Sequence, residues 1–220
     1  MNATPDPETP VDAAFLRRWL EAATNAVDRE SARLTELDSP IGDADHGSNI
    51  RRGFLAARTA VGQEPPETPG GVLVLVGRTL ISTVGGASGP LYGTLLRRAG
   101  KDLGEEPAVS AARLRDALRA GVDGVAALGG AVPGDKTMLD SLLPALDALT
   151  GALDAGGSAA EAFAAAAAAA DEGAAATIPL RARKGRASYL GERSVGHQDP
   201  GATSSALLVT ALADTAREGS

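Results

Sequence analysis

Apolar residues at spacings of three and four run through nearly the whole chain, and no second segment offers itself as a partner strand. Phe15, Leu16, Trp19, Leu20 and Ala23 share one helical face. A second apolar stretch passes through Ala32 and Leu37 and stops at Asp38, Ser39 and Pro40, because a proline disfavours helix at the residue before it. The helical pattern returns over residues 49–61 and pauses in a proline-rich connection at 62–71. Residues 72–84 are rich in β-branched side chains, yet their length and lack of a partner predict a buried helix. Residues 91–103 follow as helix. Ser110 is a good N-cap for a helix bearing Leu114, Leu118, Val122 and Val125. Another helix covers 138–153. Ser158 and Glu161 form a capping box for an alanine-rich helix that ends near Ile178 and Pro179, and residues 202–216 make the last one. The pattern predicts an all-α protein of about eight helices.

Composition supports that class. Aromatic residues make up only 3 % of the 220 residues, so Ala and Leu supply most of the apolar surface, which suits helix-on-helix packing better than stacked sheets. The 44 % hydrophobic content is that of a globular chain. A net charge of −7 argues against general nucleic-acid binding. The absence of cysteine excludes disulfides and thiolate zinc sites. No stretch is an uninterrupted apolar span of membrane length, so no membrane partner is expected and the cytoplasm is the default location. Residues 1–10 carry three prolines and read as a frayed tail ahead of a single domain over 11–220.

Four segments interrupt the helical pattern: 38–49, 85–93, 129–137 and 181–201. Loops on a rigid scaffold are where sites usually lie. The first brings three carboxylates, Asp38, Asp43 and Asp45, into a turn that Pro40, Gly42 and Gly47 keep from being plain helix, with His46 and Asn49 beside it. Crowded carboxylates repel unless a cation sits among them, and all-oxygen ligands suit Mg²⁺ or Ca²⁺. A calcium loop starting at Asp43 would need an acid where Phe54 stands, so that reading fails. The glycines around Ser88 precede a helix whose free N–H groups could meet an anion. Gly129 to Thr137 resembles a phosphate-binding P-loop, but Asp135 intrudes before Lys136 and no strand precedes it. Arg181, Arg183, Lys184, Arg186 and Arg193 form a local basic cluster in an acidic chain, which suggests phosphate contact. No serine is marked as a nucleophile beside a base. An acidic metal site, glycine-rich helix starts and basic residues are the equipment of phosphoryl transfer, where positioning and charge neutralisation dominate.

Four blocks carry a resemblance. They are Ile41-Gly42-Asp43-Ala44-Asp45-His46-Gly47, the run Val84 to Gly93, Pro133-Gly134-Asp135-Lys136-Thr137-Met138, and the stretch from Ala182 to Ala202. In this order they resemble the nucleotide-binding L subunit of dihydroxyacetone kinase over nearly the whole chain. The resemblance implies an up-and-down antiparallel barrel of helices with ADP or ATP at one end. It implies that Asp38, Asp43 and Asp45 hold two Mg²⁺ ions, that His46, Asn49 and Ser88 contact phosphates, and that Gly129 and Met138 lie near the adenine. Arg186 with Asp199, Pro200 and Gly201 would help close the pocket. Gly47, Ser48, Ala87, Lys136 and Thr137 complete the implied nucleotide set. The implied partners are a K subunit that holds dihydroxyacetone and a phosphohistidine carrier of the phosphotransferase system, with a homodimer also open. With no K-type segment attached, the carrier-fed type is the expectation, although a split ATP-dependent system fits too. A related keto-sugar such as erythrulose, or a nucleotide-loaded regulatory module without turnover, are the alternatives. Fatty-acid kinases share a related domain but carry Thr where His46 stands.

Overall fold

The computed structural model describes residues 10–218, so most of the expected tail lies outside the described residues. Eight α-helices follow in order: α1 (Ala13–Asp38), α2 (His46–Gln63), α3 (Pro69–Thr83), α4 (Ser88–Leu103), α5 (Ala111–Gly129), α6 (Leu139–Asp154), α7 (Ala159–Ala176) and α8 (Pro200–Glu218). A 3-10 helix at Arg186–Ser194 lies between α7 and α8. Each helix packs on its sequence neighbour, and α8 returns to α1, which closes the ring. Most connections are short, so successive helices reverse direction.

The two apolar stretches before Pro40 form one helix of 26 residues. Val27 and Leu34 continue the buried face of Trp19 and Ala23 through an otherwise polar middle, so nothing interrupts it. Asp12 caps its start by accepting from the Phe15 amide at 2.7 Å. Trp19 Nε1 donates to the Leu208 carbonyl oxygen at 3.1 Å, stitching α1 to α8 where the ring closes. Residues 72–83 are helical as expected, and Val84 is the extended C-cap of that helix, α3. Its packing on α4 depends on two glycines: a Cβ on Gly77 would lie 2.9 Å from the Gly93 carbonyl oxygen, and one on Gly93 would lie 2.8 Å from that of Gly77. Side chains there would force the pair apart. The capping box of Ser158 and Glu161 is present at the start of α7.

One short antiparallel ladder was not expected. Val11 and Asp12 (β1) pair with Val109 and Ala108 (β2). Two-residue strands are too short to show periodicity. The core is mainly Leu, Val and Ala, with an apolar cavity of about 70 Å³ between Leu16, Trp19, Leu96, Leu146 and Leu212. Among the described residues no helix is long and apolar enough to cross a membrane.

Candidate functional site

The loop between α1 and α2 brings Asp38, Asp43 and Asp45 together, with one carboxylate oxygen of each within 4.8 Å of the others. Asp38 is buried, whereas Asp43 and Asp45 are exposed. The Asp38 carboxylate Oδ2 accepts from the amides of Asp45 at 3.0 Å and His46 at 3.3 Å, so it caps the start of α2 from outside that helix. Asp45, at the N-cap position itself, makes no side-chain capping bond. Its carboxylate is therefore left to face outward. Two backbone features permit the convergence. Gly42 lacks the Cβ that would come 1.9 Å from Asp38 Oδ1. Ala44, between the two exposed acids, takes a φ of 60°, a left-handed conformation that non-glycine residues adopt at a cost.

His46 follows Asp45 and also lines a cleft of about 500 Å³, which places the acidic cluster at the edge of that cleft. Its Nε2 lies 2.9 Å from Ser204 Oγ and its Nδ1 3.3 Å from Ser88 Oγ. Burial holds the imidazole below its ordinary pKa against the pull of Asp38 and Asp45, so the ring is neutral at pH 7. The starts of α4 and α6, at Ala87 with Ser88 and at Met138 with Leu139, open onto the cleft without side-chain caps. At α4 the Ser88 and Gly89 amides can meet an anion, whereas at α6 the Leu139 amide donates to Thr137 Oγ1 at 3.2 Å and the Asp140 and Ser141 amides donate to the carbonyl oxygens of Thr137 and Met138. Asp199, Pro200 and Gly201 line the cleft beside these helix starts, with Gly201 against Met138. Asp199 Oδ2 accepts from the Ala202 amide at 2.7 Å, and burial raises its carboxyl to about 7.

Of the residues singled out in the sequence, His46, Ala87, Ser88, Gly129, Lys136, Thr137, Met138, Asp199, Pro200 and Gly201 line this cleft. Gly47 instead lets α2 approach α1: a Cβ there would meet the Ser31 carbonyl oxygen at 1.9 Å. Ser48 Oγ donates to the Asp45 carbonyl oxygen at 2.9 Å. Asn49 is buried and accepts from Arg52 at 2.6 Å, while Arg52 also holds the Thr83 carbonyl oxygen at 3.0 Å. Arg186 pairs with Asp43 at 2.9 Å. Lys136 lines the cleft with its stem, but its ammonium is turned into the protein. Tyr92 and Ser204 were missed. The Tyr92 hydroxyl lies 2.6 Å from Ser204 Oγ and 2.8 Å from Ser205 Oγ, and it donates to the Gly201 carbonyl oxygen at 3.1 Å. These contacts brace the wall behind His46. Tyr92 sits in a glycine-rich block that could have drawn notice; Ser204 lies mid-pattern in α8 and has no such signal.

The helical ring, the carboxylate cluster and the open start of α4 have the chemistry that suits a phosphate ester beside a hard cation. The chain belongs to the DAK2 domain family, whose model matches residues 40–214. It is 44 % identical over 200 residues to the ADP-binding subunit DhaL of the PEP-dependent dihydroxyacetone kinase of Escherichia coli K12, covering 91 % of this chain and 95 % of that one. It is 40 % identical over 208 residues to a D-erythrulose kinase of Mycolicibacterium smegmatis, covering 92 % of this chain but 35 % of that longer protein. Among solved structures it is similar to the dihydroxyacetone kinase of C. freundii in complex with AMP-PNP and Mg²⁺. The TM-score is 0.70 at 26 % identity, over 97 % of this chain and 36 % of that one.

Proposed function

We propose that this chain is the ADP/ATP-binding phosphoryl-donor subunit of a dihydroxyacetone kinase, active with a separate K subunit that holds the ketose. The observation that carries the reading is the convergence of Asp38, Asp43 and Asp45 at the edge of a cleft bordered by the open start of α4, in a chain 44 % identical to an ADP-binding kinase subunit. The three carboxylates suit Mg²⁺, and the Gly42 and Ala44 backbone gives them room to converge on it. We assign two Mg²⁺ ions to them, which when bound would neutralise phosphate charge and orient the terminal phosphoryl group. Ser88, Ala87 and the neutral His46 would receive the phosphates with Gly47, Ser48 and Asn49 behind them. Gly129, Thr137 and Met138 would border the base. Arg186 and Asp199 to Gly201 would close the cleft. In the reaction the bond from the γ-phosphorus to ADP breaks, a bond to a hydroxyl oxygen of dihydroxyacetone forms, and that hydroxyl loses its proton. No activated nucleophile in this chain would hold the ketose, which is why a partner is required.

The donor that recharges ADP is assigned to a phosphohistidine carrier of the phosphotransferase system, on the strength of relatives named PEP-dependent and PTS-dependent kinases. Erythrulose is the second reading for the acceptor, favoured by the likeness to D-erythrulose kinase. The test is to purify the chain and supply Mg-ATP and dihydroxyacetone, with and without a K-type subunit. Product is expected only with the subunit. Steady phosphorylation by the chain alone would overturn the donor-subunit reading. A chain that binds no nucleotide in calorimetry would overturn the site itself.

A further inference from the structure

Lys136 stands one residue past the place where a phosphate-binding loop would carry its lysine, and it does something else. The residue is 2 % exposed, among the largest fully buried side chains of the molecule. Its φ of 64° is left-handed, a conformation that is costly for a non-glycine residue and persists only where the surroundings over-determine it. The ammonium donates to the carbonyl oxygens of Thr177 at 2.7 Å, Leu180 at 3.1 Å and Ile178 at 3.5 Å, and to that of His197. An ammonium has three N–H donors, fewer than these carbonyls, so none is left for a phosphate oxygen. The acceptors come from both ends of one connection, the strap over residues 177–199. Two of them, on Thr177 and Ile178, lie just past the C-terminus of α7, where carbonyl groups lack helical partners and a cation is favoured.

We propose that Lys136 is a positioning residue, a latch that fastens the 177–199 strap along the cleft and thereby slows the departure of bound nucleotide. The proposal rests on the nucleotide reading above. Three further bonds gather at the same knot. The Arg183 amide donates to the Asp135 carbonyl oxygen at 3.1 Å, the Gly196 amide to that of Ile178 at 2.8 Å, and the Asp199 amide to Thr177 Oγ1 at 2.9 Å. From this knot the strap sends Lys184, Gly185 and Asp199 to the lining of the cleft and Arg186 to Asp43. A ligand in the cleft leaves when the strap lifts, and lifting it separates a buried cation from its acceptors, a costly step. Affinity set in this way resides in the off-rate.

The experiment is displacement of a fluorescent ADP analogue from the wild type and from Lys136→Met, followed by stopped flow. The variant is expected to release ADP about tenfold faster or more, and, with a K-type subunit, to raise KM for nucleotide more than it lowers kcat. Because the chain has no cysteine, Lys136→Cys alkylated with 2-bromoethylamine restores an ammonium at this one position, and its off-rate should return most of the way to the wild-type value. An unchanged off-rate in Lys136→Met would overturn the latch. So would a loss confined to ADP with adenosine binding untouched, since that marks a direct phosphate contact. If Lys136→Met does not fold, hydrogen exchange on the unaltered, nucleotide-free protein decides: the Arg183, Gly196 and Asp199 amides should exchange as slowly as those inside α8, and open-loop rates would overturn the proposal. A wild type that binds no ADP would remove the nucleotide reading and this proposal with it, whereas binding with equal off-rates would remove the latch alone.

Discussion

Arg186 reaches Asp43 at 2.9 Å, so the 177–199 strap, which helps line the cleft, and the acidic cluster at its edge share one ion pair. The Arg186 side chain is 69 % exposed and that of Asp43 38 %, and a pair so open to water contributes little to folding. Arg186→Ala is therefore expected to leave the melting temperature of the nucleotide-free protein within about 2 °C of wild type. It should weaken ADP binding, because a cation is lost where phosphates would sit. Thermal denaturation and calorimetry on one preparation check both halves.

The three acids should respond differently to neutralisation. Asp43→Asn and Asp45→Asn are expected to lower Mg-ADP affinity about tenfold or more, and not to lower stability, since each removes a like charge from a crowded cluster. Asp38→Ala should lower stability as well, by about 1 kcal/mol, because it removes the acceptor of two amides at the start of α2. Calorimetric titration with Mg-ADP paired with urea unfolding separates the two classes. Unchanged Mg-ADP affinity in both exposed-acid variants would rule out the metal assignment.

Gly42 is a stringent position for the same site. A methyl group there would come 1.9 Å from Asp38 Oδ1, so Gly42→Ala must push that carboxylate aside. The helical circular dichroism should persist while Mg-dependent tightening of ADP binding is largely lost. Affinity measured with and without Mg²⁺ is the readout, and a wild-type Mg²⁺ effect would show that Asp38 is not a ligand.

Asp199 gives a pH signature. Burial, helped by Asp140 and Asp38, raises its carboxyl from 3.8 to about 7 against the Ala202 amide and Lys136. A folded-state pKa above the unfolded one means that the stabilising contribution is complete below about 4 and is lost as pH rises through 7. Asn caps a helix about as well as Asp but does not titrate. Asp199→Asn should thus match the wild type near pH 4 and gain on it progressively toward pH 8. Melting temperatures of both proteins across that range test the sign. A constant difference would show that Asp199 titrates normally.

The eight helices were legible because periodicity and caps act over three or four residues, as Ser110, Ser158 and Glu161 illustrate. The acidic cluster was legible for the same reason, since its members are close in the chain. What was not legible depends on distant pairs. Ser204 stands 158 residues from His46, and no local pattern announces their contact. The resemblance implied Lys136 as a nucleotide-binding residue, yet the direction of its ammonium is decided by carbonyl groups about forty to sixty residues away, which carry no side-chain signature. The two-residue ladder of Val11 and Val109 fell below the length at which alternation can be seen.

The capping role of Asp38 bears on how such a domain can change over generations. Its carboxylate is tied to the backbone of the next helix, while Asp43 and Asp45 are free of that duty. A descendant that abandoned phosphoryl transfer for a purely regulatory life would face selection to retain Asp38 for folding long after the other two had drifted. An acid at this position alone is thus a fossil of architecture, and the exposed pair, Asp43 and Asp45, is the better marker of a living enzyme.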